Sequence, residues 1–250
     1  MRAGGLTLDG LINLHKPTGI TSAKALYKVR SITKVRKSGH AGTLDPAATG
    51  VLVLCLGKAT KLVESIMNQP KVYRATARLD VTSESFDSDR PLVPVEVKGV
   101  PTADDVRTAC ERFVGEIMQV PPKISAIKVG GVPAYKLARS EEALELKPRS
   151  ARIYWLHVHA YDWPRLDFEM ACGRGTYVRS VIRDLGETLG TGGCLTSLVR
   201  TRVGPCVIDE AWTFEALVQA GGPEEYMIDL EQARELRDPQ AVQIPPEPGG

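Results

Sequence analysis

The sequence has few features of secreted, metal-binding or membrane proteins. Aromatic residues make up 6% of the 250 residues, and the five cysteines lie far apart with no Cys-x-x-Cys pair. The odd number and wide spacing of the cysteines argue against a disulfide framework and a thiolate zinc site. The chain opens without a signal-peptide core, and its longest aliphatic run, residues 51–56, is too short to cross a bilayer. These absences predict an intracellular, cytoplasmic protein.

Motifs for metals, nucleotides and acyl transfer are also missing. His157 and His159 would share one face of a strand, but two ligands without a third make a weak metal site, and a structural role is the better interpretation. Gly57 and Lys58 resemble the end of a phosphate-binding loop, yet Ala59 stands where such a loop needs Ser or Thr. Neither Gly-x-Gly-x-x-Gly nor Gly-x-Ser-x-Gly occurs. The sequence therefore predicts neither a metal nor a cofactor.

Charge is unevenly distributed, although the net charge is only +2. Residues 1–60 contain nine basic and two acidic residues, whereas residues 209–250 contain two basic and ten acidic ones. Residues 16–37 contain seven basic residues and no acid. Such a stretch can follow a phosphate backbone, because each neutralised phosphate releases a counterion, but it is equally typical of a solvated helix face. Any nucleic-acid surface should be local, because the end of the chain is acidic.

Hydrophobic periodicity predicts helices and strands in mixed order. Strands are predicted over residues 51–56, 72–79, 153–161 and 166–172. Helices are predicted to begin at Thr21 or Ser22, at Thr102, and at residue 176, the last ending at Gly190. Because no regular β-α-β rhythm occurs, we expect an α+β fold with one mixed sheet. Residues 218–250 are acidic and proline-rich, and we expect a partly disordered tail there.

Residues 39–50 (GHAGTLDPAATG) combine three glycines, His40 and Asp45 directly after the basic stretch. Asp followed by Pro is a common start of a helix, so Asp45 taken alone is best interpreted as a helix N-cap. A carboxylate at a helix N-terminus stays ionised, so capping and catalysis are compatible.

A second group of candidate residues opens the helix at 176–189. Tyr177 and Arg179 lie in its first turn, just after a glycine-rich turn. An arginine at the edge of an apolar stripe is better placed to reach a phosphate or carboxylate than to act as a surface solubiliser. Tyr73 falls on the apolar face of its strand, where a core role is the default.

Seven motifs in this order resemble those of one enzyme family, the bacterial tRNA pseudouridine-55 synthases, or TruB family. They are LHKPTG (14–19), GHAGTLDPAATG (39–50), KVYR (71–74), PKISAIK (122–128), AYKLAR (134–139), GTYVR (175–179) and LVRT (198–201). The resemblance covers about residues 10–215.

This resemblance implies the pseudouridine synthase fold, a mixed and largely antiparallel sheet flanked by helices and loops with a central cleft. It implies isomerisation of uridine in the T-loop of tRNA without a cofactor. We also expect a monomer that needs no obligate protein partner. Residues 121–150 would be a thumb that clasps RNA. Members of the family usually end in a PUA domain; residues 218–250 are too few for one, so we expect a catalytic domain over 1–217 and only a tail.

The resemblance also implies residue roles. Asp45 matches the catalytic aspartate, Tyr73 the tyrosine that stacks on the target uracil, and Arg179 the arginine that pairs with the aspartate. The expected substrate-binding residues are Lys16, His40, Tyr177 and Leu198. His40 would help to hold the target nucleotide out of the RNA stack.

The reaction breaks the bond between base and sugar and rejoins the same base through carbon 5, so one ionised carboxylate suffices. That carboxylate could attack ribose carbon 1′, add to carbon 6 of the ring, or remove a ribose proton. Two other functions remain open at this point: modification of another RNA, and RNA binding or chaperoning without catalysis.

Overall fold

The computed structural model describes residues 8–124, 128–129, 132–133, 146–235 and 244–248. The chain divides into two compact units, one formed by residues 1–72 and 199–245 and the other by residues 73–198 and 246–250. Most of the predicted thumb, residues 121–150, lies outside the described residues. Among the helices described below, none is long and apolar enough to span a membrane.

The first unit contains strands from both ends of the chain. Its strands are β1 (Gly10–Lys16), β2 (Ser38–His40), β3 (Thr49–Leu56), β13 (Cys206–Val207) and β14 (Met227–Asp229). Its α-helices are α1 (Ser22–Thr33), α2 (Val63–Asn68), α5 (Phe214–Gln219), α6 (Pro223–Tyr226) and α7 (Leu230–Glu235). Two 3-10 helices, Gly57–Leu62 and Ile208–Glu210, complete it.

The second unit contains both long strands and strands of only two residues. They are β4 (Lys71–Arg78), β5 (Val81–Thr82), β6 (Val93–Pro94), β7 (Gly115–Gln119), β8 (Lys128–Val129), β9 (Val132–Pro133), β10 (Arg149–Asp162) and β11 (Arg165–Cys172). Its helices are α3 (Ala103–Glu111) and α4 (Val178–Leu189). β12 (Cys194–Val203) contributes to both units, since one division falls after Leu198, and the first two residues of β4 belong to the first unit, since the other falls after Val72.

In the first unit, β3 is the strand around which the others are arranged. The hydrogen-bonded order is β14-β1-β3-β12, with β2 also paired to β3. β1 runs antiparallel to β3, with Lys16 opposite Gly50, whereas β12 runs parallel to it, with Arg200 also opposite Gly50. This register brings Lys16 and Arg200 to the end of β3 that follows the loop containing Asp45.

The apolar run of β3 is explained by burial on both faces. Val51, Val53 and Cys55 pack into one hydrophobic cluster, with Leu62 and Ile66, among others. The alternate residues of β3 pack into a second cluster with α1 and α5: Leu52, Leu54 and Leu56. A strand with a core on each side needs apolar residues at consecutive positions, which is why this strand does not alternate.

In the second unit, the hydrogen-bonded order is β12-β4-β11-β10-β7. β10 runs antiparallel to both β11 and β7. β11 alternates as predicted, and its inward residues Leu166, Phe168 and Met170 are fully buried. The apolar stripe of α4, including Val181 and Ile182, is buried as well, and α3 packs against this helix.

The predicted fold class is confirmed: the fold is α+β, with a mixed, mostly antiparallel sheet flanked by helices. The central cleft stays a prediction. Residues 223–235, within the segment expected to be a tail, form α6, β14 and α7, and β14 pairs with β1. Regular structure therefore continues beyond residue 217.

Candidate active site

Asp45 lies in the first unit, in the loop between β2 and β3. Its side chain is half-buried, and the residues after it form a turn in which the amide of Ala48 donates to the Asp45 carbonyl at 3.2 Å. No helix begins there, so the interpretation of Asp45 as a helix N-cap is wrong. The local preference of an Asp-Pro pair is overridden by tertiary hydrogen bonds to the loop.

Arg200 of β12 provides one set of these hydrogen bonds. The residue is 1% exposed, and its guanidinium donates to the carbonyls of Val51 at 2.8 Å, Gly42 at 3.1 Å and Thr43 at 3.4 Å. A planar guanidinium offers several donors in fixed directions, which suits it to fasten several carbonyls at once. Arg200 thus holds the loop before Asp45 and the strand after it.

Sequence reasoning gave Arg200 no role, although the residue is part of the LVRT motif. One signal was available: Arg200 stands two residues after Leu198 in β12, so both belong to the side of the strand that is buried. A charged residue at an inward position of a strand requires polar partners, and here the partners are main-chain carbonyls.

Lys16, at the end of β1, approaches the other side of the loop. Its side chain is fully buried, and the ammonium donates to the carbonyls of Pro17 and Ile20 at 2.9 Å and of Pro46 at 3.4 Å. Burial lowers the pKa of the Lys16 ammonium to about 8, opposed by the Asp45 carboxylate and reinforced by the Arg200 charge. The structure therefore places Lys16 and Asp45 within electrostatic reach of each other.

His40 is the last residue of β2, just before the loop. Its Nδ1 atom is buried, without a hydrogen-bond partner in the described part of the chain. Burial, followed by the Arg200 charge, lowers the pKa of the His40 imidazole below its ordinary value. The ring is consequently neutral at pH 7, the form that a desolvated histidine adopts beside a fixed positive charge.

In the second unit, the start of α4 is held by hydrogen bonds to other parts of the chain. Arg179 is 5% exposed, and its two terminal nitrogens donate to the carbonyls of Ser85 at 3.1 Å and Ile124 at 3.0 Å. Tyr177 is the N-cap residue, and its main chain forms two hydrogen bonds with the Gln119 amide, at 2.8 and 3.1 Å. Sequence reasoning missed Gln119, which is 2% exposed.

Tyr73 and Leu198 are both largely buried, each with 9% of its surface exposed. Tyr73 lies on the buried side of β4, as its alternating pattern predicts.

His157 and His159 have ring centroids 5.0 Å apart, and each ring contacts a glutamate. Within the residues that the structure describes, no three His, Cys, Asp or Glu side chains are grouped to hold a metal.

Two family models match the chain. The model of the TruB family pseudouridylate synthase N-terminal domain matches residues 30–178, and that of the tRNA pseudouridylate synthase B C-terminal domain matches residues 179–236. The second match begins at α4 and includes α6, β14 and α7.

Curated relatives match along most of the chain. A tRNA pseudouridine synthase B of Syntrophotalea carbinolica is 39% identical, over 96% of this chain and 78% of its own length. A protein of the same name from Arthrobacter sp. is 41% identical, over 95% of this chain and 80% of its own. The similarity therefore includes both units.

Two solved structures are similar to this chain along most of its length. A chain of a Cbf5-Nop10-Gar1 complex has a TM-score of 0.71 and 28% identity, over 92% of this chain and 63% of its own length. A chain of an H/ACA RNP bound to a substrate RNA has a TM-score of 0.68 and 27% identity, over 91% and 61%. This chain spans less than two thirds of either of them.

Proposed function

Because the chain belongs to the TruB family of pseudouridylate synthases, we propose that it isomerises uridine to pseudouridine in tRNA. The target is uridine 55 of the T-loop, and the enzyme acts as a cytoplasmic monomer without a cofactor. The observation that carries this proposal is the GHAGTLDPAATG loop, which holds Asp45 half-buried beside Lys16 in a chain similar to proteins named tRNA pseudouridine synthase B.

Asp45 is the proposed catalytic carboxylate. The bond between N1 and ribose carbon 1′ breaks, a bond between carbon 5 and carbon 1′ forms, and the proton on carbon 5 moves to N1, so atoms and electrons balance without an outside reagent. An ionised carboxylate can assist by attacking carbon 1′, by adding to carbon 6, or by removing a ribose proton. The positive charge of Lys16 favours the ionised form of a nearby carboxylate.

The remaining residues have the proposed roles that the resemblance implies. Tyr73 stacks on the extruded uracil, which offsets the few kcal/mol that unstacking a base costs. Arg179 keeps the aspartate ionised and oriented, and the hydrogen bonds of its guanidinium to Ser85 and Ile124 fix the direction of its side chain. The substrate-binding residues are Lys16, His40, Tyr177 and Leu198.

A direct test uses purified chain and an unmodified tRNA transcript, without added metal, with pseudouridine detected by mass spectrometry. We expect stoichiometric product at position 55. Asp45→Ala should bind the transcript as well as the wild type but give no product, because the variant lacks only the carboxylate. Comparable product from Asp45→Ala would discard the catalytic assignment.

The same assay separates the proposal from its competitors. A transcript with cytidine at position 55 serves as the control for the modified site. Wild-type chain that modifies another RNA but leaves the tRNA unchanged would overturn the substrate assignment. Tight binding without any product would point instead to an RNA-binding protein.

A further inference from the structure

The two residues that flank Asp45 are both fastened to one segment of the chain, residues 16–22. On one side, the Ser22 hydroxyl donates to the Leu44 carbonyl at 2.9 Å and accepts from the Leu44 amide at 2.8 Å. On the other side, the Pro46 carbonyl accepts from the Gly19 amide at 2.8 Å, in addition to the Lys16 bond. The main chain is thus held immediately before and after Asp45.

The Ser22 hydroxyl forms both of these hydrogen bonds with the main chain of Leu44. Ser22 is the first residue of α1 and is 2% exposed, and Leu44 is 3% exposed. The cap of this helix is instead the exposed neighbour Thr21, whose hydroxyl accepts from the Lys24 amide at 3.1 Å. Two adjacent hydroxyls at the same helix start therefore do different things: Thr21 caps the helix, and Ser22 binds the loop.

We propose that Ser22 is a positioning residue for the Asp45 carboxylate, an inference that rests on the proposed function. A side chain that binds both the N–H and the C=O of one residue fixes the peptide planes on either side of it. The plane between Leu44 and Asp45 sets where the Cα–Cβ bond of Asp45 points. Ser22 thereby sets the direction of the carboxylate without touching the RNA.

Loss of this hydroxyl should impair catalysis more than RNA binding. In Ser22→Ala, two buried polar groups of Leu44 lose their partner, and the loop is free to shift. A displacement of about 1 Å can reduce a rate by roughly a hundredfold. We therefore expect kcat to fall between roughly tenfold and a hundredfold, with KM for the tRNA transcript unchanged.

Thr21→Ala is the matched control. It removes a hydroxyl from the same helix start and destabilises α1, but it leaves the Leu44 bonds intact. It should therefore lower the melting temperature while leaving kcat at the wild-type value. Ser22→Cys keeps a donor and an acceptor in a slightly larger side chain with weaker hydrogen bonding, and should give an intermediate kcat even if Ser22→Ala does not fold.

The experiment measures kcat, KM and melting temperature for the wild type and the three variants, at a temperature at which each is folded. Wild-type kcat in both Ser22 variants would overturn the positioning role, as would an equal loss of kcat in Thr21→Ala. Absence of product from the wild type would instead overturn the proposed function. The two failures are therefore distinguishable.

Discussion

Lys16 combines complete burial with a positive charge, a costly arrangement for a single residue. The three carbonyls that accept from its ammonium offset part of the lost hydration, as does the nearby Asp45 carboxylate. The pKa of about 8, below the ordinary 10.5, shows that this compensation is incomplete. The protein therefore retains a buried ammonium at neutral pH at some cost to its stability.

This cost should appear in the pH dependence of stability. Between pH 8 and 10.5 the unfolded chain keeps the Lys16 proton while the folded chain releases it, so the free energy of unfolding rises with pH through this window. Between pH 7 and 10, the free energy of unfolding of the wild type should therefore rise by about 1–3 kcal/mol relative to that of Lys16→Met. Urea denaturation of both proteins across this range measures the difference. A pH-independent difference would contradict the pKa of Lys16.

The sequence singles out Asp45, Tyr73 and Arg179 as candidate site residues because each lies in a recognisable motif, and their roles stay predictions. It did not identify Ser22 or Arg200, because their partners are main-chain groups of residues far away in the sequence. Ser22 is 22 positions from Leu44, and Arg200 is 149 positions from Val51. A carbonyl partner has no residue type to recognise, so no pattern of side chains reveals it.

At the level of elements, the pairing of β3 with β12 depends on Gly50. This residue has a φ of 101°, and a Cβ atom there would lie 2.2 Å from the Arg200 carbonyl oxygen. The clashing atoms belong to the main chain of Arg200, so no flexible side chain could move aside to relieve the contact. Only glycine allows β3 to begin beside β12.

Gly50→Ala should therefore lower the free energy of unfolding by about 3 kcal/mol or more, from backbone strain and the clash combined. Gly190→Ala is the control, because Gly190 has a φ of 68° but no atom within 4 Å of the added methyl. Strain alone should cost about 1–2 kcal/mol there. Chemical denaturation measures the free energy of unfolding of both variants. Equal losses for Gly50→Ala and Gly190→Ala would show that the clash at Gly50 contributes nothing.

Most of the long elements were predicted to within a few residues, but the strands β1 and β12, of seven and ten residues, were missed, as were the short strands. The predicted helix at 176–189 is α4, which ends as expected at Gly190, and α3 begins at the predicted place, with Thr102 as its N-cap. In contrast, β2, β13 and β14 each have two or three residues. A strand of two or three residues is too short to show an alternation of apolar and polar residues, and its conformation depends on the strand with which it pairs.

At the level of the whole molecule, the excess of basic residues in 16–37 bears on RNA binding. On α1, Lys24 and Lys28 are exposed, and Lys28 lies 4.8 Å from the ring of Phe214. Lys24 is therefore the better residue with which to test a phosphate contact. The acidic residues of 209–250 should take no part in such contacts, since they would repel the RNA.

Lys24→Gln should weaken tRNA binding and reduce the slope of log affinity against log salt by about 0.7–0.9, the contribution of one phosphate contact. Lys98→Gln, an exposed lysine of the other unit, is the control and should leave the slope unchanged. Filter binding at several salt concentrations measures both. An unchanged slope for Lys24→Gln would indicate that this face of α1 is merely solvated.

The fastening of the Asp45 loop from two sides has a consequence for chimaeras. Residues 39–50 could not be transplanted as a cassette into a foreign scaffold, because Ser22, Gly19 and Arg200 would stay behind with the donor protein. A working transplant would need three separate stretches of the sequence: the loop itself, the segment with Gly19 and Ser22, and the strand with Arg200. Recombination with a relative should therefore succeed only where a crossover leaves all three from the same parent.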